Sequence, residues 1–279
     1  LADSHNLSLV RRYYPDISVA FTVEQKQPLS WLLQKNRDDS LYALLIEFFG
    51  QMNASGELTA LEDRYFGHVE KFNYVDTRLF MKAVDTVLPN YQNWFEQYAG
   101  DLDWRLLAAQ SYQESHWDPR AKSPTGVRGI MMLTQPTAKQ VGVKSRLDPE
   151  SNIRGGSVYL RQLLSRIPER ISPHDRPWFA LAAYNIGWGH VQDARRITER
   201  LGGDPDKWVD VKKHLPLLRQ KSVYKTTKYG FARGDEAVTY VSNIRRYYDT
   251  LVWLDEKSEQ EEKLEQRKDQ VQQTDKLAL

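Results

Sequence analysis

The chain has 279 residues, 41% hydrophobic and 27% charged, with a formal net charge of +2; this is room for one large or two modest soluble domains. It contains no Cys, which excludes disulfide and thiolate chemistry, and its six His show no HxxxH-like spacing, so neither a metal nor a cofactor is expected. No apolar run approaches the roughly 20 residues that span a bilayer, and the opening residues carry no signal-peptide pattern, reading instead as a start within a fold.

The charge is unevenly distributed. Residues 1–76 hold 7 basic against 11 acidic side chains, residues 77–254 hold 27 against 18, and residues 255–279 hold 5 against 8. The basic middle favours an anionic partner, and on charge alone nucleic acid, an anionic membrane surface and an acidic polysaccharide all stay open. Eight Trp, 15 Tyr and nine Phe suit a core, or a groove that stacks on flat or sugar-like ligands.

In chain order, "DISVAFTVE" (16–24) and "LSWLLQK" (29–35) are rich in β-branched and aromatic residues and read as strands. "DDSLYALLIEFFGQM" (38–52) then takes helical spacing through Leu41, Leu44, Leu45, Phe48 and Phe49, with Asp38 or Asp39 as its cap. A turn at Gly56 and a short helix follow. Residues 1–75 are therefore expected to be an α/β segment with too little sheet for a core of its own.

From about residue 76 the pattern is helical. Apolar spacing of 3–4 residues marks helices near 77–98, 103–115, 135–141, 149–167, 176–185, 188–201, 206–219 and 235–254, separated by Gly, Pro and Asn/Asp clusters. Residues 76–254 are expected to form one α-helical domain. Residues 255–279 have no aromatics and almost no apolar stripe, which predicts a solvated, disordered tail.

Chemistry concentrates in "AAQSYQESHWDPRAKSPTGVRGIMML", residues 108–133. Asp103 is a good N-cap for a helix beginning at Trp104. Leu107, Gln110, Ser111 and Glu114 then share one stripe, which puts Glu114 on or beside the buried face in the last turn. Partial burial and the negative end of the helix dipole both raise the pKa of a carboxyl placed there. A Glu protonated near neutral pH suits a general acid, although spacing alone favours an ordinary solvated residue at a helix end.

Four linked motifs carry a resemblance. "ESHWDP", then "KSPTGVRGIMML", resembles the signature of the lytic transglycosylases of bacterial cell walls, relatives of goose-type lysozyme; Glu114, Ser115, Trp117, Asp118, Pro119, Ser123, Gly126, Gly129 and Met131 match it. "LDPESNIRGGSVYL" (147–160), "AAYNIGWGHV" (182–191) and "DEAVTYVSNI" (235–244) resemble the later motifs in order and distance. Val127 stands where Ala is usual, and Met132 where Gln is usual; the two Met could instead give a sugar face a soft apolar wall.

The resemblance implies a mainly α, lysozyme-like catalytic domain over 76–254. It makes Glu114 the catalyst, with Ser123, Met131, Met132, Tyr184, Asn185, Glu236 and Tyr240 as substrate-binding residues. The substrate implied is the glycan strand of peptidoglycan, not nucleic acid, cut between N-acetylmuramic acid and N-acetylglucosamine without water, leaving 1,6-anhydro ends. Asp118, before Pro119, reads as a turn former rather than a second catalytic acid.

Residues 1–75 resemble the C-terminal end of a periplasmic solute-binding domain. The two-part order is similar to the membrane-bound F branch of murein transglycosylases. That implies a periplasmic protein peripheral to the outer membrane through a region before Leu1, with muropeptides as ligands of a regulatory N-terminal domain. A hydrolytic muramidase and a non-catalytic wall-binding module are the alternatives.

Overall fold

The computed structural model describes residues 3–11, 13–14, 16–23, 30–35, 38–67 and 74–277. Thirteen α-helices are assigned among them: α1 Ser4–Val10, α2 Ser40–Ala54, α3 Glu57–Tyr65, α4 Tyr74–Thr86, α5 Gln92–Ala99, α6 Trp104–Ser115, α7 Gln135–Gln140, α8 Pro149–Leu164, α9 Arg176–Ile186, α10 Trp188–Arg200, α11 Trp208–His214, α12 Lys221–Tyr224 and α13 Gly234–Leu277. Short 3-10 turns at Leu88–Asn90 and Leu215–Arg219, both with Pro in the first turn, join α4 to α5 and extend α11.

One continuous apolar core holds the helices from α4 to α13 together. Phe80, Phe95, Leu107, Trp117, Ile153, Phe179, Trp208, Val241 and Ile244 are all buried in it. α6 runs through the middle, with Leu107, Ala108, Ala109, Gln110 and Ser111 fully enclosed, and α13 packs along it. A helix apolar on nearly all sides is what a central position requires. Its start is fixed by Asp103, whose carboxylate accepts from the Arg105 backbone N–H at 3.0 Å.

The structure departs from the sequence reading at both ends. No strand is present among the described residues, and the described parts of 16–24 and 29–35 carry no regular structure; Glu24 and Leu29 lie outside the described residues. Phe21, Val23, Trp31 and Leu32 are exposed there. α2 has no buried residue, and Leu41, Tyr42, Leu44, Ile46 and Phe48 are open to solvent. Extended, apolar segments need a neighbouring strand and a covering layer to become sheet, and none of the described residues supplies one. The helix begins at Ser40 with Asp39 at the N-cap position, but Asp39 makes no side-chain cap hydrogen bond; Asp38, one residue earlier, accepts from the Ser40 N–H at 2.9 Å.

At the other end α13 continues from the core through 255–277, where a disordered tail was expected. Residues 256–261 are exposed, and pairs such as Lys257–Glu261 and Glu259–Lys263, four residues apart, line the helix surface. Charged residues at that spacing favour helix without any apolar face.

Residues 3–67 touch the helical body at specific points. Asp63 on α3 is buried between Lys212 of α11 and Arg245 of α13. Arg245 also donates to the carbonyls of Asp63 and Arg64 at 2.9 and 3.0 Å, and its guanidinium lies 4.8 Å from the Trp178 ring centre. Tyr13 stacks on Trp253 at 4.6 Å.

Candidate active site

α6 ends at Ser115, directly after Glu114. His116 and Trp117 then both take left-handed backbone, with φ of 54° and 60°. This reversal is paid for by Trp117, which is buried and donates its indole N–H to the Ala108 carbonyl at 2.9 Å. The chain is thus turned sharply away just past the carboxyl, leaving Glu114 partly open at the end of a buried helix.

Residues 118–134 fold back over this end. Asp118 accepts from the Arg120 N–H at 2.8 Å and is exposed, the turn-forming role read from its place before Pro119. Arg128 and Leu133 exchange backbone hydrogen bonds at 3.2 and 3.0 Å. Between them the Ile130 carbonyl accepts from Ser111 and Ser115 hydroxyls at 3.0 and 2.8 Å, tying the loop to α6.

Asn152 of α8 holds the same loop from the other side. It is fully buried; its Oδ1 accepts from the Met131 N–H at 2.7 Å, and its Nδ2 donates to the Arg146 and Arg128 carbonyls at 2.8 and 3.3 Å. Gly129, at φ 85°, is required here, because a Cβ would run into the Arg146 carbonyl and the Asn152 amide.

Tyr240, on α13, donates its hydroxyl to Glu114 Oε1 at 2.6 Å and accepts from Gln110 Nε2 at 3.3 Å. Tyr184, near the end of α9, donates to the Met131 carbonyl at 2.9 Å. Burial and the nearby Glu114 carboxylate hold both phenols well above their usual range, so both are neutral donors. Burial pushes the Glu114 carboxyl up to about 8, opposed by the Tyr240 hydrogen bond. No other carboxylate contributes to that shift among the described residues. A carboxyl in this state is protonated at neutral pH and, once ionised, is stabilised by one phenol: it can give a proton and take one back.

Two expectations follow for solution work. Activity that needs protonated Glu114 should be lost as pH rises through about 8, read as the alkaline limb of kcat/KM against pH. Tyr240→Phe removes the interaction that lowers the Glu114 pKa, so that limb should move to higher pH while kcat drops about tenfold or more.

The other residues singled out from sequence divide. Ser123 lies in its own turn, sharing a hydrogen bond with Thr125 at 2.8 Å and accepting from the Val127 N–H at 3.3 Å. The Met131 side chain is fully buried, packed where a Cβ on Gly156 would strike it, and its carbonyl accepts the Tyr184 hydroxyl. Met132, at φ 47°, is partly exposed in the same loop. Asn185 and Glu236 are exposed and line one groove together. Sequence reasoning did not single out Asn152 or Gln110 as site residues. Both are polar, fully buried groups on helices, and their partners, the 128–146 segment for Asn152 and Tyr240 of α13 for Gln110, are distant in sequence.

Residues 93–206 match the family described as Transglycosylase SLT domain. Membrane-bound lytic murein transglycosylase F of Aliivibrio fischeri is 61% identical over 266 residues, 95% of this chain and 53% of that protein. The protein of the same name from Pseudoalteromonas translucida is 63% identical over 265 residues, 95% and 56% of the two chains. The chain spans about half the length of the curated relatives it matches. Among solved structures, the 70 kDa soluble lytic transglycosylase of Escherichia coli aligns with a TM-score of 0.44 at 22% identity, over 70% of this chain and 29% of that one. Through residues 93–206 the chain is thus similar to the transglycosylase SLT domain, and along nearly its whole length it is similar to membrane-bound lytic murein transglycosylase F.

Proposed function

We propose that this chain is a peptidoglycan lytic transglycosylase of lysozyme-like fold, cleaving the β-1,4 bond between N-acetylmuramic acid and N-acetylglucosamine. The observation that carries the reading is a buried, protonated carboxyl, Glu114, held by the Tyr240 hydroxyl at 2.6 Å. Glycosidases that use water or an enzyme nucleophile place two carboxylates about the scissile bond. Here the substrate supplies the nucleophile instead. Glu114 protonates the glycosidic oxygen, and the leaving sugar departs as positive charge grows at the anomeric carbon. The resulting carboxylate takes the proton of the muramic C6 hydroxyl, whose oxygen closes on C1. The 1,6-anhydro ring forms, Glu114 is protonated again, and no water enters. Closure within one bound sugar ring benefits from proximity.

Ser123 and Met132 are the side chains of the earlier set that we place along the glycan, and Asn185 and Glu236 line a groove beside it; Tyr184 and Tyr240 act at the reacting centre. The basic 76–254 segment favours the anionic wall polymer, an attraction that should weaken with salt. The reaction is tested by release of soluble fragments from purified peptidoglycan: the chain should release them and Glu114→Gln should not. Equal release by both would remove Glu114 from the mechanism.

The relatives' shared name supports a membrane-associated setting, which we place at the periplasmic face of the outer membrane of a Gram-negative cell. Residues 1–75 are proposed to be part of a solute-binding-like module that senses muropeptides. The exposed apolar faces of 17–23, 30–35 and α2 support this, being faces a larger α/β unit would cover. If added muropeptides change the activity of residues 1–279 and of 76–254 identically, the sensing role fails.

A further inference from the structure

We propose that a groove beside the catalytic tyrosines binds the peptide that peptidoglycan carries on its muramic lactyl group, and that Arg233 and Glu236 read the charged ends of that peptide. The proposal rests on the peptidoglycan reading above and goes further, naming the part of the substrate that is recognised and the residues that recognise it.

The groove has a volume of about 330 Å³ and is lined by Asn185, His190, Phe231, Arg233 and Glu236 among others. Two of its lining residues neighbour the reacting-centre tyrosines along the chain. Asn185 follows Tyr184 directly. Glu236 lies one turn before Tyr240 on α13, a rise of about 6 Å. A substituent on the sugar held at Glu114 therefore reaches this groove over a short tether, and tethering raises its local concentration.

The chemistry of the walls selects the occupant. Arg233 and Glu236 stand 3.5 Å apart with 63% and 53% of their side chains exposed. An ion pair so open to water is worth little to the fold and exchanges readily for a ligand's charges. Together they present one cation and one anion to the groove. Neutral sugar hydroxyls do not call for that pairing. A peptide with a free carboxylate and a free ammonium does, the guanidinium taking the carboxylate and Glu236 the ammonium.

Phe231 adds an apolar wall. It is 52% exposed and set edge-on against Tyr224 at 5.7 Å. The strand of chain that carries these groups is anchored: Asp193 accepts from the Tyr229 and Lys228 N–H groups at 2.7 and 3.3 Å, and the Ala232 N–H donates to Leu218 at 3.2 Å. Arg233 and Phe231 are thus exposed side chains on a fixed backbone, the preorganised arrangement that lowers the entropic cost of binding.

The test compares glycan strands carrying their peptides with the same strands after an amidase has removed them. The readout is the ratio of kcat/KM on the two substrates. The expected ratio is about ten or more in favour of peptide-bearing strands, the size of one charge-assisted contact. Arg233→Ala should bring the ratio close to one, and Arg233→Lys should keep part of the preference. A wild-type ratio near one, or an Arg233→Ala loss that is equal on both substrates, would overturn the proposal. The same ratio measured as Kd on the Glu114→Gln variant needs no turnover. A peptide preference there, without any anhydro product from the active chain, would uphold the groove and reject the reaction; anhydro products with no preference would do the reverse.

Discussion

Glu114→Gln is expected to lose activity about 10³-fold or more while gaining stability at neutral and alkaline pH. The loss follows from removing the carboxyl that we propose gives and retakes the proton. The gain follows from linkage. Burial raises the Glu114 carboxyl from 4.5 to about 8, so between those values the folded protein holds a proton that the unfolded chain has released. Stability then falls as pH rises from about 4.5 towards 8. Glutamine keeps an oxygen for the Tyr240 hydroxyl and has no charge to desolvate. With Glu114 partly open to solvent, the expected gain at pH 8 is about 1–3 kcal/mol, or several degrees in Tm. At pH 4 the two proteins should melt together. Thermal unfolding at the two pH values checks it; an equal Tm difference at both would show that the carboxyl is not the cause.

Asn152→Ala should be the most damaging substitution away from the catalyst. It removes three hydrogen bonds at a fully buried position and strands the Met131 N–H and the Arg146 carbonyl without their partner. Unsatisfied buried groups of this kind cost about 2–4 kcal/mol in total. The same amide fixes the loop whose Met131 carbonyl receives Tyr184. Activity of the folded variant should therefore fall about tenfold, carried by kcat, since the loop is tied to the reacting centre more than to the glycan's outer contacts. Urea unfolding gives the first quantity and steady-state kinetics on folded protein the second. Wild-type kcat in a destabilised variant would confine Asn152 to folding.

Local pattern carried a large part of this site. The stripe Leu107, Gln110, Ser111 and Glu114 predicted a carboxyl at the end of a buried helix, and α6 has that form because its cap, its apolar spacing and its stop signal agree over only 12 residues. What is set by distant contacts was less legible. Tyr240 reaches Glu114 across 126 residues of sequence, so its role as the catalyst's hydrogen-bond donor, beyond lining a cleft, depends on how α13 lies along α6. Met131 looked like a substrate contact because it sits in the motif; its register in the loop turns the side chain into the core and leaves only the backbone to the site.

The ends show the same limit. The β-branched runs before α2 favour strand locally, yet a strand is defined by a neighbour, and the described residues provide none. The polar segment after residue 254 lacks an apolar stripe, but a helix already nucleated in the core propagates through charged residues at little cost.

The central claim is that one carboxyl acts twice and water takes no part. It is tested most directly by digesting purified peptidoglycan in heavy-oxygen water and weighing the products by mass spectrometry. Muramic ends lighter by one water than hydrolytic ends, and free of heavy oxygen, are the expected products. Reducing ends carrying the heavy oxygen, with no anhydro ends beside them, would contradict it.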